Sequence, residues 1–161
     1  MIHIEDFWQE LLDSELKDNS YWKEKILDPD CKIHLALMVE PYLSLILNGR
    51  KTIESRFSRN KIKPYNSISK GDIVVLKRSG GGLVAVFEAG DVWFKQIGSD
   101  KDLCEIKSEY GAGLCLDDQF WERKRDANYV TLINISHLQI LSPIEIKRAN
   151  RQSWITYEKI D

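Results

Sequence analysis

The sequence predicts an α+β fold: a small mixed β-barrel decorated by short helices, with a helical extension at its N-terminal end. Three observations predict it. Five or six short runs rich in branched and aromatic residues are separated by glycine, proline and asparagine turns. Only brief stretches between those runs have helical spacing. The chain has 161 residues, 43% of them hydrophobic, enough for one domain with its own core. The strands are too unevenly spaced for a repeat architecture, and no low-complexity tract interrupts them.

Residues 5–27 place Phe7, Trp8, Leu11, Leu12, Leu16, Trp22 and Ile26 at steps near three and four, the pattern of an amphipathic helix. Asn19-Ser20 divides it, with Ser20 as the expected cap of the second half, and Asp28-Pro29-Asp30 ends it. A boundary at this point gives an acidic helical extension over 1–30 and a main domain over 31–161. Ile33–Val39 reads as a strand and Pro41–Gly49 as a short helix, with proline in its first turn and Gly49 as its stop. Lys51–Phe57 reads as a second strand. Alternation puts Lys51, Ile53, Ser55 and Phe57 on one face and Thr52, Glu54 and Arg56 on the other. Strands follow at Ile73–Lys77, Leu83–Phe94, Tyr129–Ile140 and Ser153–Tyr157. Helices are expected at Ser99–Glu109, ended by Gly111-Ala112-Gly113, and at Asp117–Arg125. A small closed barrel accommodates this set.

The net charge is only −2, but it is unevenly placed. Residues 1–30 carry nine acids and three lysines, or −6, and the remainder carries +4. From Arg50 to Arg78 nine bases face two acids, Glu54 and Asp72, a block of +7. Such a block suits a polyanion or an anionic small molecule, and it equally suits a solvated basic face. No apolar run approaches the ~20 residues of a membrane span. The opening MIHIEDFWQELL is acidic and does not read as a signal peptide, so a cytoplasmic protein is expected. Cys31, Cys104 and Cys115 form no CxxC pair and read as reduced, buried thiols. His3, His34 and His137 are scattered, and neither a metal site nor a cofactor is expected.

Four of the bases surround a single acid in Asn48-Gly-Arg-Lys-Thr-Ile-Glu-Ser-Arg-Phe-Ser-Arg59. Within it, Gly49 to Arg56 reads as GxKxxExR. Gly71-Asp72 opens a later strand that leads to Leu76-Lys77-Arg78-Ser79-Gly80-Gly81. Phe120-Trp121 lies in a helical insert, and Ile140-Leu-Ser-Pro143 and Arg151-Gln-Ser-Trp154 close the pattern. From about Ile33 to Tyr157 the chain resembles the ASCH domain family of the PUA-like β-barrel superfamily. The resemblance implies a PUA-like pseudo-barrel with its cleft beside the motif strand. It also implies a role in binding RNA, nucleotides or modified nucleosides.

The residues themselves favour the same class of partner. Glu54 and Arg56 lie two apart, roughly 7 Å along a strand. The carboxylate can accept from base N–H groups, and the guanidinium can grip phosphate. The same charges also fit a structural ion pair of Glu54 with Arg56 or Lys51. Lys77, Arg78 and Ser79 are candidate anion contacts, Lys77 and Arg78 ahead of the loop itself, because Ser79-Gly-Gly-Gly82 lacks the GK[ST] of a P-loop and reads first as a mobile hairpin turn. Trp121 and Lys124, in a stretch where Phe120, Trp121 and Tyr129 flank Arg123-Lys124-Arg125, offer stacking and charge for a single strand or a splayed base; Trp121 fits a core or lid position as well.

Two functions follow. The first is an RNA-, single-stranded-nucleic-acid- or nucleotide-binding domain using Lys51, Glu54, Arg56, Lys77, Arg78, Ser79, Trp121 and Lys124. The second is a hydrolase, either an amidohydrolase on a modified nucleoside or a ribonuclease, with Lys51 and Glu54 or Glu109 as catalytic groups. In the amidohydrolase-type pattern that the family includes, a threonine stands three residues after the lysine. Here that position holds Glu54, and Glu109 stands where a late glutamate is needed. A protein-interaction role for residues 1–30 is a third reading.

Overall fold

A computed structural model of the chain describes residues 2–3, 7–147 and 152–157. Expectations for residues 5 and 6, for the side chains of Phe7, Trp8 and Leu12, and for Arg151 lie outside the described residues. In chain order the elements are β1 (Ile2–His3), α1 (Phe7–Asp13), a 3₁₀ turn (Glu15–Asp18), α2 (Ser20–Leu27), β2 (Ile33–Met38), α3 (Tyr42–Leu47), β3 (Ile53–Ser58), β4 (Ile73–Arg78), β5 (Leu83–Gln96), α4 (Asp100–Leu114), α5 (Asp118–Arg123), β6 (Tyr129–Ile144), β7 (Ile146–Lys147) and β8 (Trp154–Tyr157). No described helix is long and apolar enough to cross a membrane.

Six strands form one sheet in the order β3-β6-β5-β4-β2-β8, and β1 pairs with β7 in a small parallel ribbon. Only β2 and β4 run parallel within the large sheet, from Ile33↔Ile73 to Met38↔Arg78. β5 and β6 form a long antiparallel ribbon whose register shifts three times, between Leu83 and Ala85, Val86 and Glu88, and Ala89 and Val92. Each shift adds local twist, and together they curl the sheet into a half-barrel. The closed barrel expected from the sequence is therefore open. β3 and β8 are the two ends of the strand order and do not pair, leaving a seam between β3 and the β2–β8 side.

Both faces of β2 and β4 are buried. Ile33, Leu35, Ile73 and Val75 pack against Leu11, Leu16, Trp22 and Ile26 of the N-terminal helices, while Ala36, Met38, Val74 and Leu76 face α3 and the barrel interior. This explains why the two strands read as unbroken apolar runs. A third cluster joins Leu103, Ile106, Tyr110 and Leu114 of α4 and Trp121 of α5 to Val130 and Leu132 of β6. The N-terminal helices are also tied to the sheet through polar groups. Glu88 accepts from the Tyr21 hydroxyl and pairs with Lys25 at 2.8 Å and His137 at 3.1 Å. Burial, reinforced by Glu88, pushes the Tyr21 hydroxyl up to about 12.

Several local expectations are corrected. Asn19, not Ser20, caps α2, accepting from the Trp22 N–H. α4 does not end at Gly111 but runs to Leu114, where Cys115 takes the left-handed conformation (φ 51°) that stops it. The strand expected to begin at Lys51 begins at Ile53. Of the three thiols only Cys31 is buried; Cys104 is exposed and Cys115 half-buried.

Candidate functional site

The site is assembled where α3 hands the chain to β3. Gly49 (φ 81°) ends the helix by adopting a conformation that costs other residues more. The backbone is then fixed on both sides: the Lys51 N–H donates to Leu45 O, the Thr52 N–H to Gly113 O and the Ile135 N–H to Thr52 O, all at 2.9 Å. Because Lys51 precedes the strand, β alternation does not govern it. Its side chain turns to the same side as Glu54 and Arg56, not to the opposite face. It is 2% exposed, with Nζ donating to Leu114 O at 2.6 Å and lying 5.8 Å from the Tyr42 ring. Burial pulls the ammonium below its ordinary value of 10.5, against the opposing pull of Glu54 and Cys115.

Glu54 is 4% exposed. Its Oε1 accepts from the Ser55 N–H at 2.7 Å, while Oε2 has no hydrogen-bond partner among the described residues and lies 3.7 Å from the Arg56 guanidinium. Arg56 reaches across the seam. Nη2 donates to Leu37 O at 2.9 Å, Nη1 stands 3.5 Å from Ser153 O, and the guanidinium lies 5.2 Å from the Trp154 ring. Trp154 is in turn anchored. Its indole N–H donates to His34 Nδ1 at 3.2 Å, and His34, fully buried, pairs through Nε2 with Asp72 at 2.8 Å and through Nδ1 with Thr156 at 2.9 Å.

These groups open onto a cleft of about 260 Å³ at the seam. One wall is β3, carrying Glu54, Ser55, Arg56 and Phe57; the facing wall is the end of β2, Leu37 to Val39, with Ser153. Lys51, Tyr42, Phe120 of α5 and Lys124, the residue that caps α5, complete the lining, with the Tyr42 and Phe120 rings edge-on to one another at 5.3 Å. Phe120 and Lys124 stand four residues apart, one helical turn, so they share a face, with the Lys124 ammonium 5.2 Å from the ring. Burial, then Arg123 and Arg56, all pull the Lys124 ammonium down.

Of the residues singled out in the sequence, Lys51, Glu54, Arg56 and Lys124 come together here. Lys77 is buried outside the cleft, donating to Gly81 O at 2.6 Å and Arg78 O at 3.2 Å, and so holds the β4–β5 turn. Arg78 pairs with Glu40 at 3.0 Å, and Ser79 is exposed in that same turn, with its N–H on Met38 O. Trp121 belongs to the α4–α5 core, edge-on to Phe57. Glu109 lines a separate surface depression on α4 with Lys95 and Asp102. Sequence reasoning passes over Tyr42 and the cleft-facing role of Phe120. The spacing of Phe120 to Lys124 is the signal that finds the latter.

A domain model of the ASCH family, "ASCH domain", matches residues 37–155. The chain belongs to the ASCH domain family. The crystal structure of ASCH from Zymomonas mobilis resembles this ASCH chain with a TM-score of 0.62 at 16% identity, covering 82% of this chain and 90% of that one. Two mutant forms of the Zymomonas protein give 0.63 at 17% identity and 0.62 at 15%, over 82% and 79% of this chain and 92% and 91% of theirs. At such identities the likeness speaks for the fold alone, a curled sheet with short helices. No curated protein sequence matches the chain.

Proposed function

We propose that this ASCH domain binds nucleic acid, RNA foremost, or a nucleotide, taking one nucleoside into the cleft at the barrel seam. The observation that carries the proposal is Oε2 of Glu54, buried 3.7 Å from the Arg56 guanidinium and without a hydrogen-bond partner among the described residues. A buried carboxylate oxygen without a partner costs roughly 1–3 kcal/mol or more, a cost that a bound donor relieves. Base amino and ring N–H groups and a ribose hydroxyl are such donors. Tyr42 and Phe120 offer aromatic surface for the base, and Lys124 supplies a cation at the mouth for its phosphate. The family's general association with nucleic-acid binding supports the same reading.

Titration of short RNA, single-stranded DNA and nucleoside monophosphates at low and moderate salt tests it. Binding that weakens with salt is expected, because phosphate contacts release counterions. Absence of binding to all three at low salt refutes it.

Lys51 supports a second reading, hydrolysis of a modified nucleoside or of RNA. A desolvated lysine sheds its proton more readily, and the neutral amine can take a proton from an attacking water beside Glu54. Glu109, outside the cleft, has no part in this version. Acylated nucleosides and labelled RNA are the substrates to screen. Activity that survives Lys51→Ala removes the mechanism.

A further inference from the structure

The cleft continues past Lys124. Phe57 and Lys124 also line a shallower furrow of about 160 Å³, together with Arg59, Arg123 and Asp126. The furrow runs between the end of β3 and the end of α5. Three cations meet one acid there, and that acid is committed to an exposed pair, Arg59 with Asp126 at 3.3 Å, their side chains 74% and 79% exposed. Such a pair contributes little and exchanges readily for a better anion. Arg59 is nevertheless held in place through its backbone: Asn128 Nδ2 donates to Arg59 O at 2.9 Å, and the Asn128 N–H to Ser58 O at 2.9 Å.

At the junction of cleft and furrow, Lys124 and Arg123 both lie against the Phe120 ring, at 5.2 and 5.9 Å. Positive charge is crowded there, which is part of why the Lys124 ammonium is pulled down. A lone nucleoside fills the cleft and leaves these outer cations unused. A polymer whose base enters the cleft must lead its backbone out over Lys124.

We infer that cleft and furrow are consecutive subsites for single-stranded nucleic acid: one unstacked nucleotide occupies the cleft, its phosphate crosses Lys124, and the next phosphate lies between Arg59 and Arg123. This rests on the binding reading above and adds its substrate class, a strand in preference to a free nucleotide. Aromatic surface alternating with a cationic track is what sequence-tolerant binding to single strands requires.

The test compares affinities for a nucleoside monophosphate and for pentanucleotides of RNA and of DNA, using wild type, the Arg59→Ala/Arg123→Ala double variant and Asp126→Asn. Wild type is expected to bind a pentanucleotide of at least one sugar type about tenfold tighter than the monophosphate. The double variant should cut that ratio about tenfold. It should also make the salt dependence shallower by about 0.7 in log–log slope, the effect of leaving one phosphate of a single strand without a cation. Asp126→Asn should raise the ratio roughly threefold by freeing Arg59, a gain that misfolding does not produce. An unchanged ratio in these variants, or an equal loss for both ligands, overturns the furrow while leaving the cleft standing. So does a wild-type protein that binds the monophosphate as tightly as either oligomer. If wild type binds none of the probes, the binding reading itself falls and takes the furrow with it.

Discussion

Two glycines in α4, two residues apart, should respond in opposite directions to the same added methyl group. Gly111 has room: a Cβ there meets nothing nearer than Lys107 Cγ at 3.8 Å. Gly113 has none: a Cβ would stand 2.8 Å from Ile53 Cδ1, 2.9 Å from Ile53 Cγ1 and 2.9 Å from Thr52 Oγ1. In a helix interior alanine is favoured over glycine by about 0.8–1.0 kcal/mol. Gly111→Ala should therefore stabilise the protein by up to about 1 kcal/mol. At Gly113 the same gain is opposed by overpacking, which costs typically ~1–3 kcal/mol. Ile53 cannot easily step aside, because a branched side chain is stiff at χ1. A net loss of up to about 2 kcal/mol follows from the two terms. The clash also lands where Gly113 O receives the Thr52 N–H, one residue before the Leu114 carbonyl that holds the Lys51 ammonium. Gly113→Ala should therefore weaken ligand binding as well as stability, whereas Gly111→Ala should alter stability alone. Urea unfolding of the three proteins, with binding measured in parallel, decides the matter. Equal stabilisation by both substitutions would show that the close approach of α4 to β3 places no constraint on the site.

Glu54→Gln keeps an oxygen for the Ser55 N–H but sets an amide donor beside Arg56 in place of the free acceptor, so nucleotide affinity should fall about tenfold with the fold retained; undiminished affinity would remove Glu54 from the site. Burial lowers the Lys51 pKa, so the unfolded chain binds that proton more tightly and stability should rise with pH between the lowered value and 10.5. Urea unfolding of wild type and Lys51→Met from about pH 7 to about pH 10 checks this, a rise in the variant as steep as in wild type being the contrary result. Trp154→Phe keeps a ring under Arg56 but loses the N–H bond to His34 and part of the indole volume, a cost of about 1–2 kcal/mol by urea unfolding. A variant as stable as wild type would show that this bond contributes nothing.

The legible parts of the fold are those with one dominant local cause. β2 and β4 announce themselves because both their faces are apolar, and α5 because Asp117 caps it. The end of α4 is hidden by a rule with two uses. Glycine breaks helices through its flexibility, but it also permits close contact, and at Gly113 the second use prevails. The motif assigns Lys51 to the site, yet alternation puts it on the wrong face, since alternation applies only inside a strand and β3 starts two residues later. The +7 block misleads in a different way. Charge counting cannot see that Lys70 is paired with Asp91, Arg78 with Glu40, and that Lys77 is buried on backbone carbonyls. Trp121 draws attention by size, whereas the helix turns its neighbour Phe120 to the cleft.

The position of Arg56 changes how roles divide within a binding site of this kind. Its guanidinium already donates to Leu37 O, stands near Ser153 O, and lies over a tryptophan that His34, Asp72 and Thr156 hold in place. Moving it to clamp a phosphate would forfeit the bond that ties β3 to β2 across the unpaired seam, so its main effect is to keep the seam spanned and the cleft at fixed width. It also stands 3.7 Å from Glu54. The inner wall is thus a rigid acceptor backed by a rigid cation, suited to the edge of a base or a sugar hydroxyl. In the proposed binding mode phosphate recognition falls to the outer cations, Lys124, Arg123 and Arg59, the last of them in an exposed pair with Asp126 that exchanges readily. That separation, inner groups for the nucleoside and outer ones for the backbone, is the general division between contacts that specify and contacts that position. It also explains why charge alone is a poor guide: the motif arginine has Nη2 committed to Leu37 O, and only its Nε is without a hydrogen-bond partner among the described residues.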